Sequence, residues 1–219
     1  MKKQGVCYII GAGEFTPLCS IPAEEDYVIA ADGGYRYLQQ IGIHPDLLLG
    51  DFDSLLEKPH HENLIELPAE KDDTDMLYAL KVGLQKGFRT FFLYGGMGGR
   101  FDHTIANLQS LAFLSQRGAV GFLFGKEDVT TVLSSPSVCF DSQAEGYISL
   151  FSFGERCEDV CIRGLKYELE NAPLCHTFPI GTSNEFIQKE SEITVGKGMA
   201  LLVFSSKNLS HLKQIDQKA

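Results

Sequence analysis

Short apolar runs alternate with longer amphipathic stretches through the first 126 residues of the chain. The runs have the length of buried strands and cover residues 6–10, 28–31, 47–49, 64–67, 91–94 and 122–124. The intervening stretches predict helices over 35–41, from 72 or 73 to 86, and over 102–117, each followed by a glycine. Strands that alternate with helices predict an α/β fold, with a mostly parallel sheet and helices on both faces.

The periodicity of the last two helices predicts which side chains are buried. Their apolar faces comprise Met76, Leu77, Leu80 and Leu84 in one helix, and Ile105, Leu108 and Ala112 in the other.

The pattern changes after about residue 126, where apolar runs become short and alternating with turn signals between them. These runs cover residues 138–140, 147–153, 160–162, 167–169, 185–188, 192–195 and 199–204. No helical period appears before the polar residues at the end of the sequence. This half therefore predicts an all-β sandwich or barrel. We expect an α/β domain over residues 1–126 and a β domain over 127–219.

The run Leu47–Leu49 is followed by Gly50 and then by two carboxylates, Asp51 and Asp53. In extended chain this spacing places both carboxylates on the same side, with Phe52 pointing the other way. The end of a strand in an α/β sheet is the edge where such folds bind ligands. An acidic surface loop is an equally good interpretation of these two residues taken alone.

Further acids follow other predicted strands. Asp72, Asp73 and Asp75 come after the run 64–67, and Asp102 comes after the run 91–94. One or two of these acids are explained by the favourable effect of a carboxylate in the first turn of a helix. If the strands are neighbours, however, the acids converge, and two unit charges about 4 Å apart repel by roughly 4 kcal/mol at an effective dielectric near 20. Mg²⁺ bound with substrate phosphates relieves this repulsion, so we predict a metal–nucleotide site.

Three glycine-rich segments also follow predicted strands. Gly11-Ala12-Gly13 lacks a third glycine and favours a plain tight turn over a phosphate site. In Asp32-Gly33-Gly34, either Asp32 caps the next helix or the glycines leave its N-terminus open to an anion. The segment 95–99 has four glycines before Arg100, which is compatible with phosphate binding, although a flexible surface turn is the alternative.

Composition narrows the class of protein. The formal net charge of −10 argues against a nucleic-acid-binding protein, which requires a basic face. No run approaches the roughly 20 apolar residues of a membrane-spanning helix, and the run after Met1-Lys2-Lys3 is too short for a signal peptide. We therefore expect a cytoplasmic protein with reduced cysteines. The pair Cys157 and Cys161 does not predict a zinc site.

Several motifs together resemble those of the bacterial thiamine pyrophosphokinases. They are Asp32-Gly33-Gly34, Gly50-Asp51-Phe52-Asp53-Ser54, Lys71-Asp72-Asp73-Thr74-Asp75, Gly95-Gly96-Met97-Gly98-Gly99-Arg100-Phe101-Asp102-His103, Arg163-Gly164-Leu165-Lys166-Tyr167 and Gly181-Thr182-Ser183-Asn184-Glu185. They occur in family order from about residue 30 to 186. The resemblance implies a catalytic α/β domain, a β domain that helps to hold thiamine, and a homodimer with active sites between subunits. It also implies a Mg²⁺-dependent reaction in which thiamine and ATP give thiamine diphosphate and AMP.

The resemblance and the chemistry together assign roles to the residues. Asp51, Asp53 and Asp73 are expected to bind Mg²⁺, with Asp75 as a further ligand or a partner of a ligand. Arg100 is expected to contact phosphate and Asp102 to orient the thiamine hydroxyl. Further contacts to nucleotide or thiamine are expected from Asp32, Gly33, Gly34, Asp72, Thr74, Gly98, Gly99, Thr182, Ser183 and Asn184. For Ser183 and Asn184, an ordinary turn is the alternative interpretation.

Two other classes of function share part of these features. One is another Mg²⁺-dependent enzyme on the same scaffold, such as a phosphatase, a nucleotide hydrolase or a kinase with another acceptor. The other is a non-catalytic sensor of thiamine or nucleotide, for which so many converging acids have no evident use.

Overall fold

The computed structural model describes residues 5–52, 61–68, 70, 72–134 and 137–215. The chain divides into two compact units. The first comprises Met1–Ser110 with Gly121–Lys126, and the second comprises Leu111–Val120 with Glu127–Ala219. Among the described residues, no helix is both long and apolar enough to cross a membrane.

A parallel sheet forms the centre of the first unit. Its strands are β1 Val6–Ile10, β2 Tyr27–Ala31, β3 Leu47–Gly50, β4 Leu64–Glu66, β5 Thr90–Tyr94 and β6 Val120–Phe124, in the order β6-β5-β1-β2-β3-β4. Strand β1 pairs in parallel with both β2 and β5, and β2–β3 and β3–β4 are also parallel. The chain therefore proceeds outward from β1 to β4 and then returns to the other side of β1. Such a reversal creates a crevice at the carboxyl ends of the two central strands.

In the ranges that the structure describes, three helices accompany this sheet: α1 Gly34–Gln40, α2 Asp75–Gln85 and α3 Phe101–Ser115. The prediction that α2 begins at Asp72 or Asp73 is wrong. Thr74 has extended backbone angles, and its hydroxyl accepts a hydrogen bond from the Leu77 N–H at 3.2 Å, so Thr74 is the N-cap. Asp72 and Asp73 consequently precede the helix, and only Asp75 lies in its first turn.

The alternative in which Asp32 caps α1 is also wrong. The N-cap is Gly33, without any side-chain capping bond, and Asp32 itself has a left-handed φ of 49°. Gly34 has a packing role, because a Cβ at this position would lie 1.9 Å from the Ile10 carbonyl oxygen. The glycine therefore allows α1 to approach β1 closely.

Aromatic rings fill much of the core of the first unit. Tyr94 stacks on Phe124 with ring centroids 4.3 Å apart, and Phe92 meets Phe122 edge to face at 5.6 Å. Burial raises the pKa of the Tyr94 hydroxyl far above its usual range, so this group stays neutral. Its oxygen accepts a hydrogen bond from the Cys19 N–H at 3.0 Å, which ties the segment after β1 to β5.

The second unit contains antiparallel strands in two sheets. They are β7 Asp128–Leu133, β8 Ser137–Phe140, β9 Tyr147–Ser152, β10 Arg156–Arg163, β11 Leu169–Cys175, β12 Asn184–Glu185, β13 Ser191–Lys197, β14 Ala200–Ser205 and β15 Leu212–Ile215, with a 3₁₀ helix at Ser206–His211. Four of these strands are neighbours in the order β12-β9-β14-β7, as part of a larger sheet, and the other five form a five-stranded sheet in the order β11-β10-β13-β8-β15. The rings of Phe140 and Phe204, one from each sheet, lie 5.1 Å apart in the core. The predicted combination of an α/β sheet with antiparallel β structure is confirmed.

Candidate active site

The loops after β1 and β5 are bonded to each other at the carboxyl edge of the parallel sheet. The N–H of Gly13 donates to the Gly95 carbonyl and the N–H of Glu14 donates to the Met97 carbonyl, each at 2.8 Å. A Cβ on Gly13 would lie 2.6 Å from the Met97 oxygen and 2.7 Å from the Gly95 oxygen. Gly13 therefore permits close contact between the Gly11-Ala12-Gly13 segment and the second loop.

A cleft of about 570 Å³ opens at this edge, within the usual size range for small-molecule sites. Its lining comprises Gly11, Ala12, Gly13, Ala31, Asp32, Asp51, Asp73, Thr74, Asp75, Met76, Gly95, Gly96, Gly98, Gly99, Arg100, His103, Ala106 and Asn107. The cleft lies beyond the carboxyl ends of β1 and β5, where the strand order reverses, as expected for a ligand site in a sheet of this topology.

Four of the predicted acidic residues line this one cleft. Asp32 follows β2, Asp51 follows β3, and Asp73 and Asp75 flank the N-cap of α2. Asp53, the other predicted metal ligand, lies outside the described residues. Of the other residues predicted to bind nucleotide, Thr74, Gly98 and Gly99 line the cleft, whereas Gly33, Gly34 and Asp72 do not.

The arrangement of the acids is not that of a preformed metal site made of protein ligands alone. It fits a metal ion that binds together with phosphates. Within the described part of the chain, no three acidic, histidine or cysteine side chains are close enough to hold a metal ion. Mg²⁺ typically binds through one or two carboxylates and takes its remaining oxygen ligands from substrate phosphates and water. The chemistry of the donors in the cleft is therefore appropriate to Mg²⁺ bound with a nucleotide.

Asp73 already has a cationic partner. The Nζ of Lys81, on α2, donates to both carboxylate oxygens of Asp73, at 2.8 and 2.5 Å. Both side chains are partly exposed, Lys81 by 39% and Asp73 by 26%. The sequence did not predict this pair, because the two residues are eight positions apart and only Lys81 lies in the helix.

Arg100 and Asp102 form a second ion pair at the start of α3. The Arg100 Nε donates to Asp102 at 3.1 Å and its Nη2 donates to the other oxygen at 2.5 Å. These hydrogen bonds lower the pKa of the Asp102 carboxyl and raise that of the Arg100 guanidinium. Both side chains are largely exposed, so water and other anions compete readily for them. Arg100 lines the cleft and Asp102 does not.

Asn107 is a cleft residue that the sequence analysis missed. Its side chain is only 5% exposed, and its amide donates to the Gly96 carbonyl at 2.7 Å, which fixes the glycine loop. The predicted buried face of α3 is partly wrong, because Ile105, which was assigned to it, is 41% exposed. The buried positions of α3 include three polar residues, Asn107, Ser110 and Ser115, which the apolar pattern does not reveal.

In the second unit, the candidate residues Thr182, Ser183 and Asn184 are engaged in local bonds. Thr182 donates to the Pro179 carbonyl, and the Ser183 N–H donates to the Ser149 hydroxyl. The Asn184 amide donates to the Tyr167 carbonyl at 2.7 Å, and its oxygen accepts from the Tyr167 and Glu185 N–H groups. The carboxamide of Asn184 therefore fixes the segment that carries Tyr167.

Two family models match the chain. The model described as the thiamin pyrophosphokinase catalytic domain matches residues 19–120, and the model described as the thiamin pyrophosphokinase vitamin B1 binding domain matches residues 137–200. The chain belongs to the thiamin pyrophosphokinase family. It is accordingly a thiamine diphosphokinase, which transfers the diphosphate group of ATP to thiamine and gives thiamine diphosphate and AMP.

Individual members of the family agree with this conclusion. The thiamine pyrophosphokinase of Bacillus subtilis is 28% identical over 185 residues, which cover 81% of this chain and 86% of the relative. The crystal structure of a Bacillus subtilis thiamine pyrophosphokinase aligns with a TM-score of 0.84 at 27% identity, over 91% of this chain and 98% of the other. The crystal structure from Geobacillus thermodenitrificans aligns with a TM-score of 0.79 at 29% identity, over 92% and 97% of the two chains.

Proposed function

We propose that the cleft at the carboxyl edge of the parallel sheet is the Mg–ATP site of this thiamine diphosphokinase. The observation that carries the proposal is the set of groups that line one cleft: Asp51, Asp73 and Asp75, the glycines after β5, and Arg100. Oxygen donors for a hard cation therefore lie beside backbone N–H groups and a guanidinium suited to phosphates.

Asp51, Asp53 and Asp73 are assigned to Mg²⁺, with Asp75 as a further ligand or a partner of a ligand. The assignment of Asp53 rests on the sequence. When bound, the ion neutralises charge on the β- and γ-phosphates of ATP. Asp32 and Thr74 line the same cleft and complete the nucleotide site. Gly33, Gly34 and Asp72 are adjacent in sequence to Asp32 or close to Thr74, and their proposed role is to position the backbone of those two residues.

The protein contributes mainly position and charge to the transfer. The hydroxyl oxygen of thiamine attacks the β-phosphorus of ATP and its proton passes to solvent, while the bond from this phosphorus to the oxygen bridging to the α-phosphate breaks and AMP leaves with that oxygen. Arg100, Gly98 and Gly99 hold the phosphates in line with the hydroxyl. Asp102, at the start of α3, is assigned to accept a hydrogen bond from the hydroxyl and so orient it, because an aspartate in its ordinary pKa range is too weak a base to remove the proton.

Thiamine is held by the β domain, residues 127–219, which is a sandwich that follows the catalytic domain, residues 1–126. The match to a vitamin B1 binding domain supports this division. Thr182 and Ser183 contact thiamine, and Asn184 supports them. The enzyme is a cytoplasmic homodimer with active sites between its subunits, as the family resemblance implies.

The metal assignment is tested with Asp51→Asn and Asp73→Asn. Each change removes one anionic oxygen donor with little change in shape, and we expect kcat to fall by about a hundredfold or more, since the metal stabilises the transition state by several kcal/mol. Glu62→Gln, an exposed carboxylate change in the same unit, serves as the control. Full activity in both aspartate variants, with unchanged circular dichroism, would remove these acids from the metal site.

The homodimer and the thiamine site have separate tests. Light scattering is expected to give twice the mass of the 24.2 kDa chain, and a monomer that is fully active would exclude active sites shared between subunits. Ser183→Ala is expected to raise the KM for thiamine and to leave the KM for ATP unchanged, as measured by steady-state kinetics with each substrate varied in turn. A change confined to ATP would move Ser183 out of the thiamine site.

A further inference from the structure

The ion pair between Lys81 and Asp73 engages a carboxylate that the proposed mechanism requires for Mg²⁺. Both carboxylate oxygens of Asp73 are within hydrogen-bond distance of the Lys81 Nζ. Asp73 lines the cleft, whereas Lys81 reaches it from α2 and is not a lining residue. The ammonium group is therefore positioned to neutralise Asp73 without contact to a substrate.

We propose that Lys81 is a positioning residue that holds Asp73 in the metal-free enzyme and is displaced from it by the divalent cation. The inference rests on the proposed role of Asp73 in metal binding. An ammonium group and a metal ion both require the carboxylate oxygens, so the two cations compete for Asp73. The doubly charged ion, further attracted by the phosphates of ATP, is the stronger competitor.

The pair has a consequence for the metal-free cleft. Asp32, Asp51 and Asp75 line the same cleft as Asp73, so the cleft carries several carboxylates. Lys81 supplies one positive charge to Asp73 until nucleotide and metal arrive.

A purely structural ion pair makes a different prediction. If Lys81 only stabilised the start of α2, its removal would lower the melting temperature and leave metal affinity unchanged or weaker. Competition predicts the opposite change in metal affinity. Metal binding therefore separates the two roles, whereas loss of activity alone would not.

The experiment measures the affinity for Mn²⁺ by electron paramagnetic resonance, at a fixed concentration of α,β-methylene-ATP and without thiamine. The signal of free Mn²⁺ is corrected for binding to nucleotide alone. Lys81→Met keeps the aliphatic stem and removes the charge, and we expect the apparent Kd for Mn²⁺ to fall by about threefold, in keeping with a partly exposed pair. Lys81→Arg is expected to stay near the wild-type value.

The controls distinguish failure of this inference from failure of the metal assignment. Lys86→Met removes a lysine that lies over the Tyr27 ring at the other end of α2, and we expect no change in the Kd for Mn²⁺. Asp73→Asn is expected to weaken Mn²⁺ binding, and adding Lys81→Met to it is expected to have no further effect. If Asp73→Asn leaves binding unchanged, the metal assignment of Asp73 is wrong. If Asp73→Asn weakens binding but Lys81→Met does not tighten it, Lys81 does not compete with the metal.

Discussion

The contact between the two glycine loops makes a sharp prediction at Gly13. Its φ is not in the left-handed region, so Gly13→Ala causes no backbone strain of its own and acts only through the added methyl group. That methyl would lie 2.6 and 2.7 Å from two carbonyl oxygens of the backbone, neither of which can rotate away. The loops must therefore separate, and the hydrogen bonds from Gly13 to Gly95 and from Glu14 to Met97 are weakened.

The expected cost is about 3 kcal/mol, from about 1 kcal/mol for each hydrogen bond and about 1 kcal/mol or more for the overpacking. For a chain of this length, this cost corresponds to a decrease in Tm of roughly 6–12 °C. Because both loops line the cleft, we also expect the affinity for α,β-methylene-ATP to fall by at least tenfold, as measured by titration calorimetry.

Gly154→Ala is the matched control. A Cβ at Gly154 meets no atom within 4 Å and its φ is not left-handed, so the variant is expected to keep its nucleotide affinity and to unfold at or slightly above the wild-type temperature. If Gly13→Ala has the Tm and nucleotide affinity of the wild type, the loop contact is not what shapes the cleft.

Three further predictions concern single side chains. Asn107→Ala leaves the Gly96 carbonyl without its donor, so we expect it to cost about 1–3 kcal/mol of stability and to weaken nucleotide binding. An unchanged melting temperature and an unchanged nucleotide affinity would show that other contacts hold the glycine loop. Asn184→Ala removes three hydrogen bonds around Tyr167 and is expected to cost about 2 kcal/mol in chemical denaturation, with a raised KM for thiamine; an unchanged midpoint would contradict the support assigned to this residue. Arg100→Met is expected to raise the pKa of Asp102 toward its usual value in carbon-detected NMR titration, because the hydrogen bonds that lower it are removed. The stabilisation from the Arg100–Asp102 pair is complete above the unfolded pKa of Asp102 and is lost as the pH falls through the lower, folded pKa. The stability of the variant should therefore differ least from that of the wild type in strong acid.

The positions of the strands along the chain and of the acids after them could be predicted from the sequence because both depend on short-range patterns, whereas the spatial order β6-β5-β1-β2-β3-β4 depends on pairings between distant strands and could not. A buried strand such as Leu47–Gly50 is recognisable from its apolar residues and its terminal glycine, and the acids that follow it lie at the ligand-binding edge of any parallel sheet. The strand bounds differ from the prediction by a few residues at most in this half of the chain.

The sequence did not predict elements whose side chains depart from the apolar pattern, or contacts between residues that are distant in sequence. Strand β7 contains Thr130 and Thr131, which are buried yet polar, and β15 has two exposed polar residues in four, so neither run looks apolar. The start of α2 was misplaced because acids that resemble a first turn precede the true N-cap, Thr74. The partners of Asp73 and of Gly96 lie on helices and become evident only when α2 and α3 are folded.

The most direct test of the account is one incubation of the purified protein with ATP, Mg²⁺ and thiamine, with a parallel sample that lacks thiamine. We expect AMP and thiamine diphosphate in equal amounts, both dependent on thiamine and both lost in Asp51→Asn. ADP as the nucleotide product, or phosphate release that does not require thiamine, would contradict diphosphate transfer to thiamine at this cleft.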